Sequence, residues 1–362
     1  MKSTRLLSLD VFRGITIAGM ILVNSPGNQT AWFWLQHSAW NGCTFADLVF
    51  PFFLFMVGLT TVFSLAKTRL PTNQLILKIA KRSLIIFSLG IFLNAFPAHF
   101  DFASLRYYGV LQRIAICYFF SAILTLTTGV KTQGVLLGIL LLGYWVVMTI
   151  IPGQTGYSLT PDNNLAASWD RALFNPPHLY GKTYDPEGFL STFPALATTL
   201  LGNLTGAFLL TKKSNRQKLK GLVIAGSIAL FTGYVASFWF PLNKTLWTSS
   251  YVLWTGGLAL YVFAFCYYAI EIKEWKKWSL CFEILGVNAL AVYVLHVFFL
   301  KVQMHITVGE PGAAQDLKSY ITNALFGWTS LENASFLYAL LYLLFWLIVL
   351  AILYKKKIFI KI

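Results

Sequence analysis

The sequence predicts an all-α integral membrane protein of about ten transmembrane helices, and three observations carry that prediction. Of the 362 residues, 57% are hydrophobic and only 11% are charged, whereas a soluble domain carries roughly 25% charged residues. Apolar runs near the roughly 20 residues needed to cross a bilayer core recur at residues 6–24, 45–66, 76–96, 107–128, 134–151, 189–210, 219–240, 248–270, 280–300 and 334–354. The cations also sort by side. With the N-terminus inside, twenty lysines and arginines fall in inner segments and six (Arg106, Arg171, Lys182, Lys244, Lys301 and Lys318) in outer ones, so both termini are expected in the cytoplasm. The whole chain, 1–362, reads as a single multi-pass transmembrane domain.

In chain order, the first run follows Lys2 and Arg5 but is interrupted by Asp10 and Arg13, and no small-residue cleavage pattern precedes Pro26. It reads as a retained first helix, not a secretory signal. Residues 152–188 are rich in Pro, Gly, Asn and Asp and predict an ordered lid or a loop with one short helix. Gly202 and Gly206, four apart in the sixth run, predict close helix packing. Residues 312–330 mix polar and apolar side chains and predict an interfacial helix.

The net charge of +15 sits in short loops between apolar runs. That pattern belongs to membrane orientation and argues against nucleic-acid binding. Four cysteines lack any CxxC spacing, and five histidines form no HxxxH or HExxH pair, so neither a disulfide framework nor a metal site is expected.

Ionisable groups inside spans are costly and face a cavity or a partner. Asp10 and Arg13, three apart, suit an intrahelical pair; the functional alternative gives Arg13 a cytosolic phosphate to hold. Arg106 and Arg113 are seven apart, which puts them on one face of the fourth span with Gln112 beside them. Nothing acidic shares that face, so Arg113 needs a partner on another helix or an anionic ligand. On the ninth span Asn288 and His296, eight apart, share a face, with Glu283 toward the inner end.

The densest chemistry lies at residues 36–53, where His37, Trp40, Asn41 and Asp47 crowd between two apolar segments with no lysine or arginine. The ordinary reading is an interfacial loop with an aromatic belt of Trp32, Trp34 and Trp40. The functional reading is an active site on the outer face, since an imidazole with an unperturbed pKa of about 6.5 suits proton transfer there.

The wording His37-Ser-Ala-Trp40-Asn41-Gly-x-Thr44-x-Ala-Asp47-Leu-Val-Phe-Pro51 resembles the signature of the heparan-α-glucosaminide N-acetyltransferase family and its bacterial relatives. Ser8 to Gly14, Gly109 to Arg113, Asp185 to Gly188, Asn243-Lys244-x-Leu246-Trp247 and Gly286 to Leu290 follow in the family's order. The resemblance implies that cytosolic acetyl-CoA gives its acetyl group to an amino sugar across the membrane. It maps the catalytic histidine onto His37 and the paired asparagine onto Asn24.

In chemical terms, His37 is the general base and the Asn24 amide the oxyanion or orienting donor. Trp40, Asn41, Asp47, Arg106, Gln112, Arg113, Asp185, Glu187, Lys244 and Asn288 are supporting or substrate-binding candidates. Arg13, Lys81 and Arg82 are candidates for the phosphates of acetyl-CoA. The expected partners are acetyl-CoA, an amino sugar or glycan such as glucosamine, and the lipid bilayer of the cell membrane. Large apolar helix faces suit lipid or a second copy alike, which leaves a homodimer open. Two other activities compete: an amino-sugar or small-solute transporter, disfavoured by the lack of repeated halves, and a polysaccharide O-acetyltransferase.

Overall fold

Helix occupies most of each of the ten apolar runs in the computed structural model, which describes residues 6–68, 70–96, 100–151, 158–310 and 314–360. Lys2, Arg5, Arg69, His99 and Lys361 lie outside the described residues. Among the described residues, seven helices are long and apolar enough to cross a membrane, or eight if one bent pair counts as a single span. Contacts divide the described residues into two compact units, one comprising Ala39–Cys43 and Phe50–Ile272, the other Leu6–Ser38, Thr44–Val49 and the residues from Lys273 onward.

In chain order the helices are α1 (Leu7–Asn24), α2 (Phe45–Ala66), α3 (Thr72–Ala95), α4 (Val110–Thr127), α5 (Val130–Ile150), α6 (Leu165–Phe174), α7 (Thr192–Leu209), α8 (Asn215–Ala236), α9 (Ser249–Tyr267), α10 (Leu280–Val287), α11 (Ala289–His305), α12 (Leu317–Phe326) and α13 (Leu331–Lys355). The runs at 76–96 and 189–210 fold as α3 and α7, which are not among the seven. The first half of α3 carries Lys78, Lys81 and Arg82, and α7 carries Thr198, Thr199, Asn203 and Thr205; such residues lower the apolarity that marks a span.

In the unit that holds most of α2 and all of α3 to α9, α8 packs on α9, α3 on α4, and α7 against both α4 and α5. The Gly202 pair does what its spacing predicts. A Cβ at Gly202 would stand 2.0 Å from the Phe55 carbonyl oxygen, so α7 meets the α2 backbone there with only hydrogen between them. The polar stretch after α5 supplies the short helix the sequence predicts, α6, whose start is capped by Asn164 accepting from the Ala167 N–H at 2.8 Å.

In the other unit α1 packs against α10 and α13. A Cβ at Gly286 would lie 2.0 Å from the Asp10 carbonyl oxygen, so this glycine sets the α1–α10 approach. The predicted ninth span is not one rod: α10 and α11 meet at a bend of 71° with Asn288 at the break. A two-stranded antiparallel pairing of Thr307–Val308 with Gln315–Asp316 leads into α12, where the sequence predicts a short helix. Asp316 caps α12 by accepting from the Ser319 N–H, and Ser330 caps α13 by accepting from the Asn333 N–H.

Candidate active site

The start of α2 builds the first part of the site. Thr44 precedes the helix and Asp47 stands three residues on, the spacing of a capping box. The Asp47 carboxylate reaches back so that Oδ2 accepts from the Thr44 N–H at 3.0 Å, while the Thr44 hydroxyl donates to the Gln36 carbonyl at 2.7 Å. The Ser38 N–H also donates to Oδ2, at 3.1 Å, which folds the preceding loop over the helix start. Oδ1 is left to His37, whose Nδ1 lies 2.8 Å away.

That pair is asymmetric in exposure. The Asp47 side chain is 1% exposed and the His37 side chain 49%, so a buried, fully donated carboxylate holds an accessible imidazole. Two backbone donors fix Oδ2, and Oδ1 takes the proton on His37 Nδ1. This selects the tautomer whose Nε2 bears the lone pair. Pro51 lies one helical turn beyond Asp47 and has no N–H to give the Asp47 carbonyl.

His37 also borders a cleft of about 240 Å³. Its walls are the end of α1 (Leu22, Val23), the loop from Pro26 through Gln29, Trp32 and Gln36, and the first turns of α13 (Glu332, Ser335, Phe336, Ala339). The loop is held by the short 3-10 turn Phe33–Leu35, and Trp34 packs edge-on against Phe336 at 5.8 Å and Phe45 at 6.2 Å. Asn24, the last residue of α1, is exposed and does not line this cleft, although its neighbours Val23 and Pro26 do.

The other predicted residues of the signature loop belong to the first unit. Trp40 donates its indole N–H to the Leu159 carbonyl at 2.8 Å and packs edge-on against Tyr184. Asn41 Oδ1 accepts from Asn243 Nδ2 at 3.2 Å, and the Gly42 N–H donates to the Leu242 carbonyl at 2.8 Å. Lys244 supplies its carbonyl to the Trp247 N–H in the turn that Asn243 closes. Trp40 and Asn41 thus anchor the loop to residues 159, 184 and 241–248.

Arg106 corrects a helical expectation. It precedes α4 instead of sharing a face with Arg113, because Gly109 starts the helix. Its guanidinium joins Asp185 through two bonds of 2.5 and 2.7 Å and Glu187 through one of 2.5 Å. Burial alone would lower the Arg106 pKa, but the two carboxylates outweigh it and raise it further. Asp185 and Glu187, expected to hold a cationic sugar, are therefore occupied by this arginine, with the Asp185 side chain fully buried.

Arg113 is wholly buried on α4, donates to the Gly188 carbonyl at 3.2 Å and to the Ser191 hydroxyl, and lies over the Trp247 ring. Of the two partners its sequence position left open, a neighbouring element is present. Gln112 is buried where Gly90 leaves room for it. Asp170 completes the cluster: burial pushes its pKa up to about 6, with Asp185 adding repulsion and the bond from the Phe189 N–H at 2.9 Å opposing the rise.

Of the phosphate candidates, Arg13 donates to the Gly286 carbonyl at 3.1 Å and sits 3.4 Å from Asp10, the intrahelical pair its spacing suggests. Lys81 is exposed on α3, and Arg82 lies over the Tyr118 ring at 4.8 Å. Asn288 does not share a continuous helix face with His296. It occupies the bend, where Nδ2 donates to the Ile358 carbonyl and Oδ1 accepts from the Ile360 N–H. Among the described residues no group of His, Cys, Asp or Glu is arranged to hold a metal.

The sequence profile of the family described as heparan-alpha-glucosaminide N-acetyltransferase, catalytic, matches residues 5–241. The chain belongs to this family. It is 28% identical to the human heparan-alpha-glucosaminide N-acetyltransferase over 99% of this chain and 60% of that protein. Against the mouse protein of the same name it is 27% identical over 100% of this chain and 61% of that protein. The chain thus spans about 60% of the length of the curated relatives it matches.

Three residues of the candidate site, Thr44, Glu332 and Ser335, were not among the residues singled out from the sequence. Thr44 was legible as the first residue of the Thr-x-x-Asp capping spacing. Glu332 and Ser335 had no local signal. They lie beyond the profile match, nearly 300 residues from His37, and only the packing of α13 beside the end of α1 brings them to the same cleft.

Proposed function

We propose that this protein is a transmembrane acetyltransferase that moves the acetyl group of acetyl-CoA to the amine of a glucosamine-type sugar, with His37 as general base. The observation that carries the proposal is the His37–Asp47 pair: an exposed imidazole bordering a cleft, its tautomer fixed by a buried carboxylate. As the amine nitrogen attacks the thioester carbonyl, the C–N bond forms and the C–S bond breaks. His37 Nε2 takes the nitrogen's proton, and the CoA sulfur leaves as thiolate and is protonated to the thiol. The Asn24 amide is proposed as the oxyanion donor.

In this reading ten spans, both termini inside and one multi-pass domain in the cell membrane put the signature loop on the outer face. Acetyl-CoA enters from the cytosol, where Lys81, Arg82 and Arg13 are the candidates for its phosphates. The family's named activity, N-acetyl transfer to a glucosaminide, supports the acceptor class. Direct transfer is preferred to an acetyl-histidine, since it needs no stable acyl-imidazole.

The test uses the full chain in detergent with acetyl-CoA and glucosamine, following CoA release for the native protein and His37→Ala. Sugar-dependent release that disappears in the variant is expected. Release that persists in the variant would remove His37 from the mechanism. Exchange of labelled CoA into acetyl-CoA without sugar, lost on replacing His37, would overturn the direct route.

A further inference from the structure

Resting on the acetyltransferase reading, we infer that the cleft beside His37 is the acceptor subsite, built for one hexosamine ring, and that Glu332 is the carboxylate that selects its ammonium group. The cleft's ionisable lining consists of His37 and Glu332, with no lysine or arginine. A nucleotide's phosphates are held by lysine and arginine side chains, so a lining without either does not suit the nucleotide of acetyl-CoA. It suits a cation with hydroxyls around it.

Size points the same way. At about 240 Å³ the cleft falls below the range of roughly 300–1,000 Å³ that holds drug-sized ligands. A cleft of this size suits a single sugar ring, with any further glycan extending outward. The acceptor class is therefore a free hexosamine or the terminal residue of a chain.

The polar groups on α13 are arranged for such a ring. Glu332 and Ser335 are three apart, hence on one helix face, and both line the cleft. The Ser335 hydroxyl is buried, with the residue 1% exposed, and has no hydrogen-bond partner among the described residues. A buried unpaired hydroxyl costs free energy that a sugar hydroxyl would relieve. Trp32 and Phe336 supply aromatic walls for the faces of the ring. Asp185 and Glu187, the carboxylates singled out from the sequence, are paired with Arg106, and within the cleft Glu332 is the carboxylate that can meet an ammonium.

The proton balance is consistent with this role. The acceptor nitrogen sheds two protons between ammonium and amide, one on becoming the neutral amine and one as the C–N bond replaces the thioester C–S bond. One ends on the CoA sulfur and the other is released to water. Glu332 binds the nitrogen before the first loss, and His37 serves the second.

The experiment compares the native full chain with Glu332→Gln in detergent, measuring steady-state constants for glucosamine and acetyl-CoA and the affinity for N-acetylglucosamine, the product without the charge. Loss of the ion pair is expected to raise KM for glucosamine about tenfold, equivalent to about 1.4 kcal/mol. The kcat, the KM for acetyl-CoA and the affinity for N-acetylglucosamine should stay within about twofold. Ser330→Ala, which removes only the α13 cap, should leave all of them unchanged.

An unchanged KM for glucosamine, or equal weakening of glucosamine and N-acetylglucosamine, would overturn the assignment, the second result marking a structural role for Glu332. If the native protein acetylates no amine, the acetyltransferase reading fails separately. Calorimetric titration of glucosamine then decides the subsite, with tenfold weaker binding to Glu332→Gln supporting it and equal binding refuting it.

Discussion

Replacing Asp47 by Asn tests the tautomer argument with almost no change in shape. Oδ2 of Asp47 accepts from two backbone N–H groups, of Ser38 and Thr44. Backbone donors cannot turn away, so the asparagine must keep its carbonyl oxygen at that position and present its NH2 to His37 Nδ1. The imidazole then has to accept at Nδ1 and carry its proton on Nε2, which removes the base from the acceptor's side.

The expected loss in kcat is about 10²–10⁴-fold, the range that general acid–base catalysis supplies. Since the two backbone bonds to Oδ2 survive and one charge-assisted bond becomes neutral, folding stability should fall by only about 1–2 kcal/mol. Sugar-dependent CoA release at saturating substrates, with thermal unfolding in the same detergent, reads both quantities. A variant that keeps native kcat would refute the argument that Asp47 sets the tautomer of a catalytic His37. A variant that fails to fold would refute the claim that the backbone N–H groups of Ser38 and Thr44 donate to the amide oxygen as they do to the carboxylate.

Three further outcomes follow from the same structure. Arg106→Ala leaves two buried carboxylates without their cation and should cost about 3–5 kcal/mol, the usual penalty for breaking a buried pair, read as a lower unfolding midpoint in denaturant. Gly202→Ala places a methyl 2.0 Å from the Phe55 carbonyl and should lower the melting temperature by several degrees, whereas Gly138→Ala, with open space around it, should not. For Asp170 the folded pKa of about 6 lies above the ordinary carboxylate value of 3.8. The folded state thus binds the proton more tightly, and stability should decline as pH rises from about 4 to 6, by about 3 kcal/mol at 1.36 kcal/mol per unit. Comparing native protein with Asp170→Asn across that window should show the decline only in the native chain.

The sequence carried the architecture because a bilayer imposes it residue by residue. Twenty apolar positions in a row can satisfy their backbone in lipid only as helix, so the runs at 45–66 and 334–354 announced α2 and α13 without help from the rest of the chain. The capping spacing of Thr44 and Asp47 was equally local, and it placed the carboxylate beside the loop that carries His37. Short-range signals of this kind do not say where a helix will break. The run at 280–300 looked continuous, yet Asn288 bends it by 71° because its side chain binds backbone of residues 358 and 360, partners about 70 residues away.

Charge pairing was decided by tertiary structure for the same reason. Spacing of seven put Arg106 with Arg113, but the chain starts α4 after Gly109 and turns Arg106 toward Asp185 and Glu187. The cleft is the plainest case. His37 was visible in its own loop, while Glu332 and Ser335 gained meaning only when α13 packed beside α1. Hydrophobic periodicity tells a helix that it must bury a face, and the shapes of the other helices decide against what.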